Sequence, residues 1–136
     1  ISKNALKLAK INANLHQLSD RIKFYKRDVD NFYNDKYDLV ISNPPYINKH
    51  KIKYLDSIIY EPKIALDGGL DGLEVIRKVI SKSKHLLKTN GKLILEIGHD
   101  QKYKVTKFLK EKNFCINKII KDYGKNIRCI VSTKIK

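Results

Sequence analysis

The spacing of apolar residues divides the chain into alternating helices and strands. Ser2 is a typical helix-capping residue, and apolar positions recur after it at helical spacing to about Leu15. A second helical pattern runs from Asp71 to about Leu87 and opens like a capping box, and a third follows Asp100. Each predicted helix therefore begins at a side chain that can accept a hydrogen bond from a helix N–H.

Five segments have the pattern of strands: 21–25, 37–41, 92–97, 115–120 and 128–133. Segments 37–41 and 92–97 are almost continuously apolar, which predicts strands covered on both faces. A long loop from Asn43 to Leu70 follows the first of these, and Asn90-Gly91 is predicted to close the helix before the second. Strands that alternate with helices predict a mostly parallel α/β sheet, and a short turn at 123–126 predicts an antiparallel pair at one end.

Composition fits one globular domain of 136 residues, 42% of them apolar. No apolar run approaches the roughly 20 residues that a membrane span needs. Cys115 and Cys129 lie in separate apolar segments without a nearby partner, which indicates reduced core thiols in a cytosolic protein. The chain opens in a helical pattern without methionine, so we expect it to be a piece of a longer protein.

Charge adds an ambiguous signal. The formal net charge is +15, from 29 basic and 14 acidic residues, and the lysines are spread along the chain rather than grouped in blocks. A partner rich in RNA and a merely lysine-biased surface explain this pattern equally well.

The sequence Ile-Ser-Asn-Pro-Pro-Tyr at 41–46 ends a predicted buried strand with two prolines. Proline has no N–H, so a strand cannot continue through the pair as a regular ladder. The carbonyl of Pro44 and the side-chain oxygen of Asn43 would form a rigid pair of acceptors at the carboxyl end of a strand, where α/β sheets bind ligands. Tyr46 can cover a flat group.

Two acceptors beside an aromatic ring suit a planar substrate that carries an –NH2 group. The nitrogen of an amide or aromatic amine is a poor nucleophile because its lone pair is delocalised. Acceptors stabilise the positive charge that develops as this nitrogen attacks. Asn43 and Pro44 are therefore the predicted catalytic pair, with Pro45 keeping the loop rigid and Tyr46 packed on the plane of the substrate. The alternative is a rigid corner between strand and loop with no chemistry.

Two other clusters carry weaker signals. Residues 68–72 are rich in glycine, but they lack the spacing of a phosphate-binding loop, so a capped helix start in a substrate loop is favoured. Glu96, His99 and Asp100 lie near a strand end, yet a metal site needs more ligands in one cluster. We predict ordinary capping and loop hydrogen bonds there, and no metal site.

Residues 43–46 resemble motif IV of the amino-group methyltransferases that use S-adenosylmethionine. Residues 61–73 are similar to the E-P-x-x-A-L-x-G-G-x-D-G-L signature of the HemK/PrmC family of release factor glutamine methyltransferases, and 95–101 and 121–123 match its later segments. The first helix and Asp28 match as well. The resemblance implies an α/β fold, the class I Rossmann-like methyltransferase sheet, truncated at its N-terminus and lacking the first two strands.

The resemblance also implies site roles. The family methylates the side-chain amide nitrogen N5 of the glutamine in the Gly-Gly-Gln motif of class I peptide-chain release factors. Asn43 to Tyr46 would bind that glutamine, with Asn43 also near the methyl group of the cofactor, and Glu61 would belong to the loop around the substrate peptide. Asp28 and Val29 would lie beside the adenine of S-adenosylmethionine. The implied setting is cytoplasmic, near the ribosome and its RNA, without a membrane.

Two other functions remain open. A nucleic-acid methyltransferase that acts on the amino group of adenine or guanine uses the same motif on a flipped base, and the positive charge favours it slightly. Segment 61–73 argues against it. A non-catalytic remnant without a cofactor site is the second alternative.

In the family, the glycine-rich cofactor loop, the acidic residue that binds the ribose and a helical N-terminal domain all precede the position matched by Ile1. We therefore expect residues 1–136 to form one part of a methyltransferase catalytic domain.

We predict that residues 1–136 alone bind S-adenosylmethionine weakly or not at all, because the cofactor loop contributes most of the expected contacts. Calorimetric titration of this chain measures the affinity, with a version extended upstream as the positive control. Micromolar binding by the 136 residues would contradict the prediction.

Overall fold

The computed structural model describes residues 2–33, 36–55 and 60–135. The chain divides into two compact units, residues 1–32 and 33–136. The first unit contains one long helix, and the second contains a β-sheet with its helices. No helix among the described residues is long and apolar enough to cross a membrane.

In the first unit, helix α1 spans Lys3–Leu15, and the side chain of Ser2 accepts a hydrogen bond from the Ala5 N–H at 3.2 Å. The predicted helix and its cap are thus confirmed. The predicted strand at 21–25 is wrong: a 3-10 turn at Ser19–Arg21 is followed by backbone with no strand pairing among the described residues. Alternating side chains favour extended backbone, but a strand exists only where a neighbour pairs with it.

The second unit is built on four strands among the described residues: β1 at Tyr37–Ser42, β2 at Leu87–Glu96, β3 at Phe114–Lys121 and β4 at Ile127–Lys134. Their order across the sheet is β1-β2-β4-β3. β1 and β2 are parallel, whereas β4 is antiparallel to both β2 and β3. The α/β fold and the final antiparallel pair are confirmed, but the sheet is mixed rather than mostly parallel because the hairpin supplies half of its strands.

Helices connect the strands. The predicted long loop after β1 contains two short helices, α2 at Lys49–Ile52 and α3 at Lys63–Leu66, and its residues 56–59 lie outside the described part of the chain. Helix α4 spans Glu74–Leu86 and leads directly into β2. Helix α5 spans Lys102–Glu111 between β2 and β3. The helix–strand alternation predicted from the sequence is therefore present.

Both α4 and α5 begin later than predicted, and the expected cap of α4 makes other contacts. Asp71 accepts from the N–H of Leu73 at 3.0 Å, and the Glu74 carboxylate reaches back to the N–H of Leu70 at 2.8 Å. These bonds order the loop before α4 instead of forming a capping box on Asp71. In α5 the cap position belongs to Gln101 rather than Asp100, and Gln101 makes no side-chain capping bond.

The core lies on β2 and the elements that pack around it. The side chains of Leu93 and Leu95 on β2 are completely buried. Helices α4 and α5 and the hairpin strands add further buried apolar side chains: Ile76, Ile80, Val105, Leu109, Phe114 and Ile130. Asn90 lies inside β2 and does not close the helix before that strand as predicted. It has a φ of 65° and belongs to a bulge between the Leu87–Tyr37 and Lys92–Leu39 pairs.

Strand β1 is less covered than its apolar sequence predicts. It pairs with β2 on one side and is an edge of the sheet formed by the described strands. Leu39 is 45% exposed and Ile41 is 68% exposed. The prediction of burial on both faces is therefore wrong for this chain, because burial requires packing partners as well as apolar residues. An apolar edge strand with unpaired backbone groups favours association with other chains.

We expect Ile41→Lys to reduce self-association of this chain, since a charge on an edge strand opposes pairing with another edge. Stability should change by less than about 0.5 kcal/mol, because the residue is exposed. Sedimentation velocity at several concentrations and a thermal melt measure the two effects. Tyr103→Lys, on an exposed position of α5, is the matched control. Equal self-association of wild type and Ile41→Lys would count against the edge as its cause.

Candidate active site

The candidate site lies where the parallel strands β1 and β2 end. Asn43 follows the last residue of β1, and Glu96 is the last residue of β2. Loop 97–101 continues from β2 into α5. The carboxyl ends of parallel strands form the ligand-binding edge of α/β sheets, so the Asn-Pro-Pro-Tyr segment occupies the position that the sequence predicts.

The four motif residues differ in exposure. Asn43 is exposed, Pro44 is buried, and Pro45 and Tyr46 are half-buried. The buried proline anchors the segment, while Asn43 is exposed at the strand end. Because proline also restricts the backbone, the Asn43 amide is carried on a rigid support.

The chain after Tyr46 is joined to the glycine-rich segment by backbone hydrogen bonds. Ile47 donates to the carbonyl of Leu66 at 3.1 Å and accepts from the N–H of Gly68 at 2.9 Å. Lys49 donates to the carbonyl of Gly69 at 2.9 Å. These bonds form a short parallel bridge between Ile47 and Asp67. The predicted substrate loop is therefore fixed directly to the Asn-Pro-Pro-Tyr motif.

Two glycines allow this close approach. A Cβ on Gly68 would lie 2.9 Å from the backbone carbon of Tyr46. Gly72 has a φ of +73°, and a Cβ there would lie 2.6 Å from the carbonyl oxygen of Tyr46. Contact with Tyr46 explains why glycine occupies both positions, because any larger side chain would keep the loop from packing against the motif.

Gln101 links three segments of the site with its side-chain amide. Its Nε2 donates to the carbonyls of Tyr46 at 2.9 Å and Gly72 at 3.1 Å, and its Oε1 accepts from the N–H of Gly98 at 2.9 Å. Gln101 is only 8% exposed. A buried amide with both ends satisfied holds these loops in one arrangement, because breaking any of the bonds leaves a buried polar group unpaired.

The phenol of Tyr46 contacts the end of β2. Its hydroxyl donates to Glu96 Oε1 at 3.1 Å. Burial, followed by the hydrogen bond to Glu96 and its negative charge, raises the pKa of Tyr46, while Arg128 acts in the opposite direction. Arg128 itself is paired with Asp122, Nη2 to Oδ2 at 3.2 Å. The phenol therefore stays protonated at neutral pH and serves as a donor.

A cleft of about 420 Å³ opens beside these groups. Loop 46–48, the start of α4 and loop 98–101 form its walls, together with three basic side chains, Lys51, Lys104 and Arg128. Its size is within the range of ligand sites. Within residues 2–33, 36–55 and 60–135, no group of three or more His, Cys, Asp or Glu side chains is placed to hold a metal ion.

The other predicted site residues have separate positions. Asp28 caps a 3-10 turn at Val29–Asn31 in the first unit, where its Oδ1 accepts from the Asp30 N–H at 3.0 Å. Glu61 is exposed before α3, and the hydrogen bonds that join the motif to segment 66–69 do not include it. The structure thus brings Asn43 to Tyr46 together with the glycine-rich loop.

Three residues that contact the site were not predicted to do so. Glu96 is expected to make only ordinary capping and loop hydrogen bonds, Arg128 is placed in a predicted strand, and Gln101 enters only through the match of 95–101 to the family. Tyr46 is 50 positions from Glu96 and 55 from Gln101. For Glu96 and Gln101 the available signal is their position at or just after the end of β2, since parallel neighbours end at the same edge.

A family model described as methyltransferase small domain matches residues 1–124. Among curated proteins, the chain is 42% identical over 103 residues to a "Ribosomal protein uL3 glutamine methyltransferase" of Francisella tularensis, an alignment that covers 74% of this chain and 33% of that protein. It is 37% identical over 139 residues to a "Release factor glutamine methyltransferase" of Clostridium acetobutylicum, covering 98% of this chain and 49% of that one. The chain therefore spans half or less of the length of these relatives.

Among solved structures, a ribosomal protein L11 methylase from Lactobacillus delbrueckii superposes with a TM-score of 0.71 at 19% identity, covering all of this chain and 55% of the other. This likeness concerns the fold, and it confirms the class I methyltransferase sheet expected from the sequence.

We expect Gln101→Leu to lower the free energy of unfolding by about 3 kcal/mol, because it leaves two carbonyls and one N–H without their partner in a largely buried place. Urea denaturation measures the loss. His99→Leu, at an exposed position of the same loop, is the control and should stay within about 0.5 kcal/mol of wild type. A similar small change in both variants would show that the three bonds do not hold the loops.

Proposed function

The chain belongs to the methyltransferase small domain family, and from this premise we propose that its full-length protein methylates glutamine. In the proposed reaction the side-chain nitrogen N5 of the glutamine in the Gly-Gly-Gln motif of class I release factors attacks the methyl group of S-adenosylmethionine. The methyl–sulfur bond breaks, the sulfur leaves as a neutral thioether, and the nitrogen releases one proton. The observation that carries the proposal is the exposed amide of Asn43 beside the buried Pro44, at the carboxyl end of β1.

Asn43 and Pro44 match the needs of an amide nucleophile. The side-chain oxygen of Asn43 and the carbonyl of Pro44 would each accept one hydrogen of the substrate –NH2 group. These acceptors stabilise positive charge on nitrogen more than they stabilise the neutral amide, and so they favour the transition state. Pro45 keeps the second acceptor in place, and the ring of Tyr46 would lie against the amide plane.

The residues implied to contact the cofactor fit an adenine edge. The Asp28 carboxylate is exposed and oriented by its bond to Asp30, and the N–H of Val29 is at the start of a helical turn, where N–H groups lack helical partners. One acceptor beside one donor complements the amine and ring nitrogen of adenine. When bound, S-adenosylmethionine supplies an electrophilic methyl group. Asn43 would lie nearest that methyl and orient the substrate nitrogen toward it.

Glutamine is favoured over a nucleobase by two independent observations. The names of both reported relatives specify glutamine, and segment 66–69 is bonded to Ile47 and Lys49, directly after the motif, as a loop around a peptide would be. Glu61 would act at the edge of this peptide loop. The net charge of +15 favours the alternative, an adenine or guanine amino methyltransferase, and it equally suits work near ribosomal RNA in the cytoplasm.

The substrate is tested with the full-length protein and labelled S-adenosylmethionine. Parallel reactions contain a class I release factor, ribosomal protein uL3, RNA and DNA, and mass spectrometry locates the methyl group. Methylation of the Gly-Gly-Gln glutamine supports the proposal. Transfer to uL3 alone would support glutamine methylation but identify a different protein substrate. Transfer to a base would establish the nucleic-acid alternative. No transfer to any of the four would favour a non-catalytic remnant.

We predict that Asn43→Ala lowers kcat of the full-length enzyme about 100-fold or more, the usual loss when one group that stabilises transition-state charge is removed. Asn126→Ala, at an exposed position in the β3–β4 turn, is the control and should keep wild-type kcat. Steady-state methylation of the release factor measures both variants. A loss below threefold for Asn43→Ala would remove Asn43 from the mechanism.

A further inference from the structure

Tyr46 is held at both of its ends by residues at or just after the end of β2. The Gln101 amide binds its backbone carbonyl at 2.9 Å, and the Glu96 carboxylate binds its hydroxyl at 3.1 Å. Two fixed points, one on the backbone and one at the tip of the side chain, fix the direction in which the side chain extends and so the position of the ring. Rotation about the Cα–Cβ bond of Tyr46 would break the hydroxyl contact.

The groups around Glu96 favour one arrangement of this contact, in which the Tyr46 hydroxyl donates and the Glu96 carboxylate accepts. Arg128 lies close enough to act on the phenol and is itself held by Asp122. The negative charge of Glu96 also contributes to the raised pKa of the Cys129 thiol, after burial. A carboxylate accepts hydrogen bonds and a protonated phenol donates one, so donor and acceptor roles are not in competition.

We propose that Glu96 is a positioning residue that fixes the ring of Tyr46 as the surface against which the substrate amide lies flat. This inference rests on the proposed function, and it assigns to Glu96 an effect on turnover through Tyr46 rather than a contact with substrate. A ring free to move away from this position would still leave the protein folded, but fewer bound amides would present nitrogen in line for attack.

The first experiment tests the contact without any activity measurement. NMR of tyrosine-labelled full-length protein follows the ring carbon that bears the hydroxyl, and Tyr46→Phe identifies the Tyr46 signal. Burial and Glu96 raise the pKa of Tyr46 in wild type, so the titration midpoint should fall toward that of an ordinary tyrosine in Glu96→Gln, which removes the charge. An unchanged midpoint would overturn the contact and the proposal with it.

The second experiment tests the role in turnover. We expect Glu96→Ala and Tyr46→Phe each to lower kcat about tenfold, because each frees the ring and misplacement of reacting groups by about 1 Å is enough for such losses. KM for the release factor should stay within about twofold, since docking is unaffected. Glu96→Gln keeps an acceptor and should restore most of kcat. The double variant should be no slower than either single variant.

The remaining outcomes separate this inference from the function on which it rests. Glu111→Ala, an exposed position on α5, is the matched control and should match wild type. If wild type methylates glutamine but Glu96→Ala keeps its kcat, or if the two losses multiply in the double variant, the positioning role is overturned alone. If wild type methylates neither the release factor nor uL3, the proposed function fails and this inference fails with it.

Discussion

The two prolines after β1 impose the constraint on which the site depends. They remove two backbone donors where a strand would otherwise continue, so the chain must leave the sheet and satisfy its next polar groups elsewhere. Ile47 does so with Leu66 and Gly68, and Tyr46 does so with Gln101. The glycine-rich loop, its two crowded glycines and the buried amide of Gln101 all follow from the need to receive this departing segment.

The parts of the fold that depend on neighbouring residues could be predicted from the sequence, whereas those that depend on distant partners could not. Helical periodicity identified α1, α4 and α5, and the turn at 123–126 identified the final hairpin. Segment 21–25 failed as a strand and β1 failed as a buried one because pairing and burial depend on neighbours that a local pattern does not contain. Asp71 failed as a cap because its carboxylate and that of Glu74 bond within the loop before α4, and Asp100 failed because the cap position of α5 falls one residue later.

The candidate site shows the same division. Proline chemistry alone located Asn43 and Pro44 at a strand end, since it depends on adjacent residues. Glu96 and Gln101 reach Tyr46 only because two parallel strands end together, and contacts across 50 or 55 positions leave no trace in local spacing. The relatives named for a release factor and for a ribosomal protein share the word glutamine. Under the proposed function the motif would supply the acceptors, and the choice between protein substrates would then lie with surfaces farther from it.

The topology of the sheet also bears on the order in which the molecule folds. Strands β3 and β4 are joined by a short turn, whereas β1 and β2 pair across roughly 50 intervening residues, and closing the longer loop carries the larger entropic penalty. We expect the hairpin and β2 to associate early and β1 to dock on them afterwards. Because Asn43 to Tyr46 are attached to the end of β1, we expect the site to form last and to be the first part lost whenever that strand detaches.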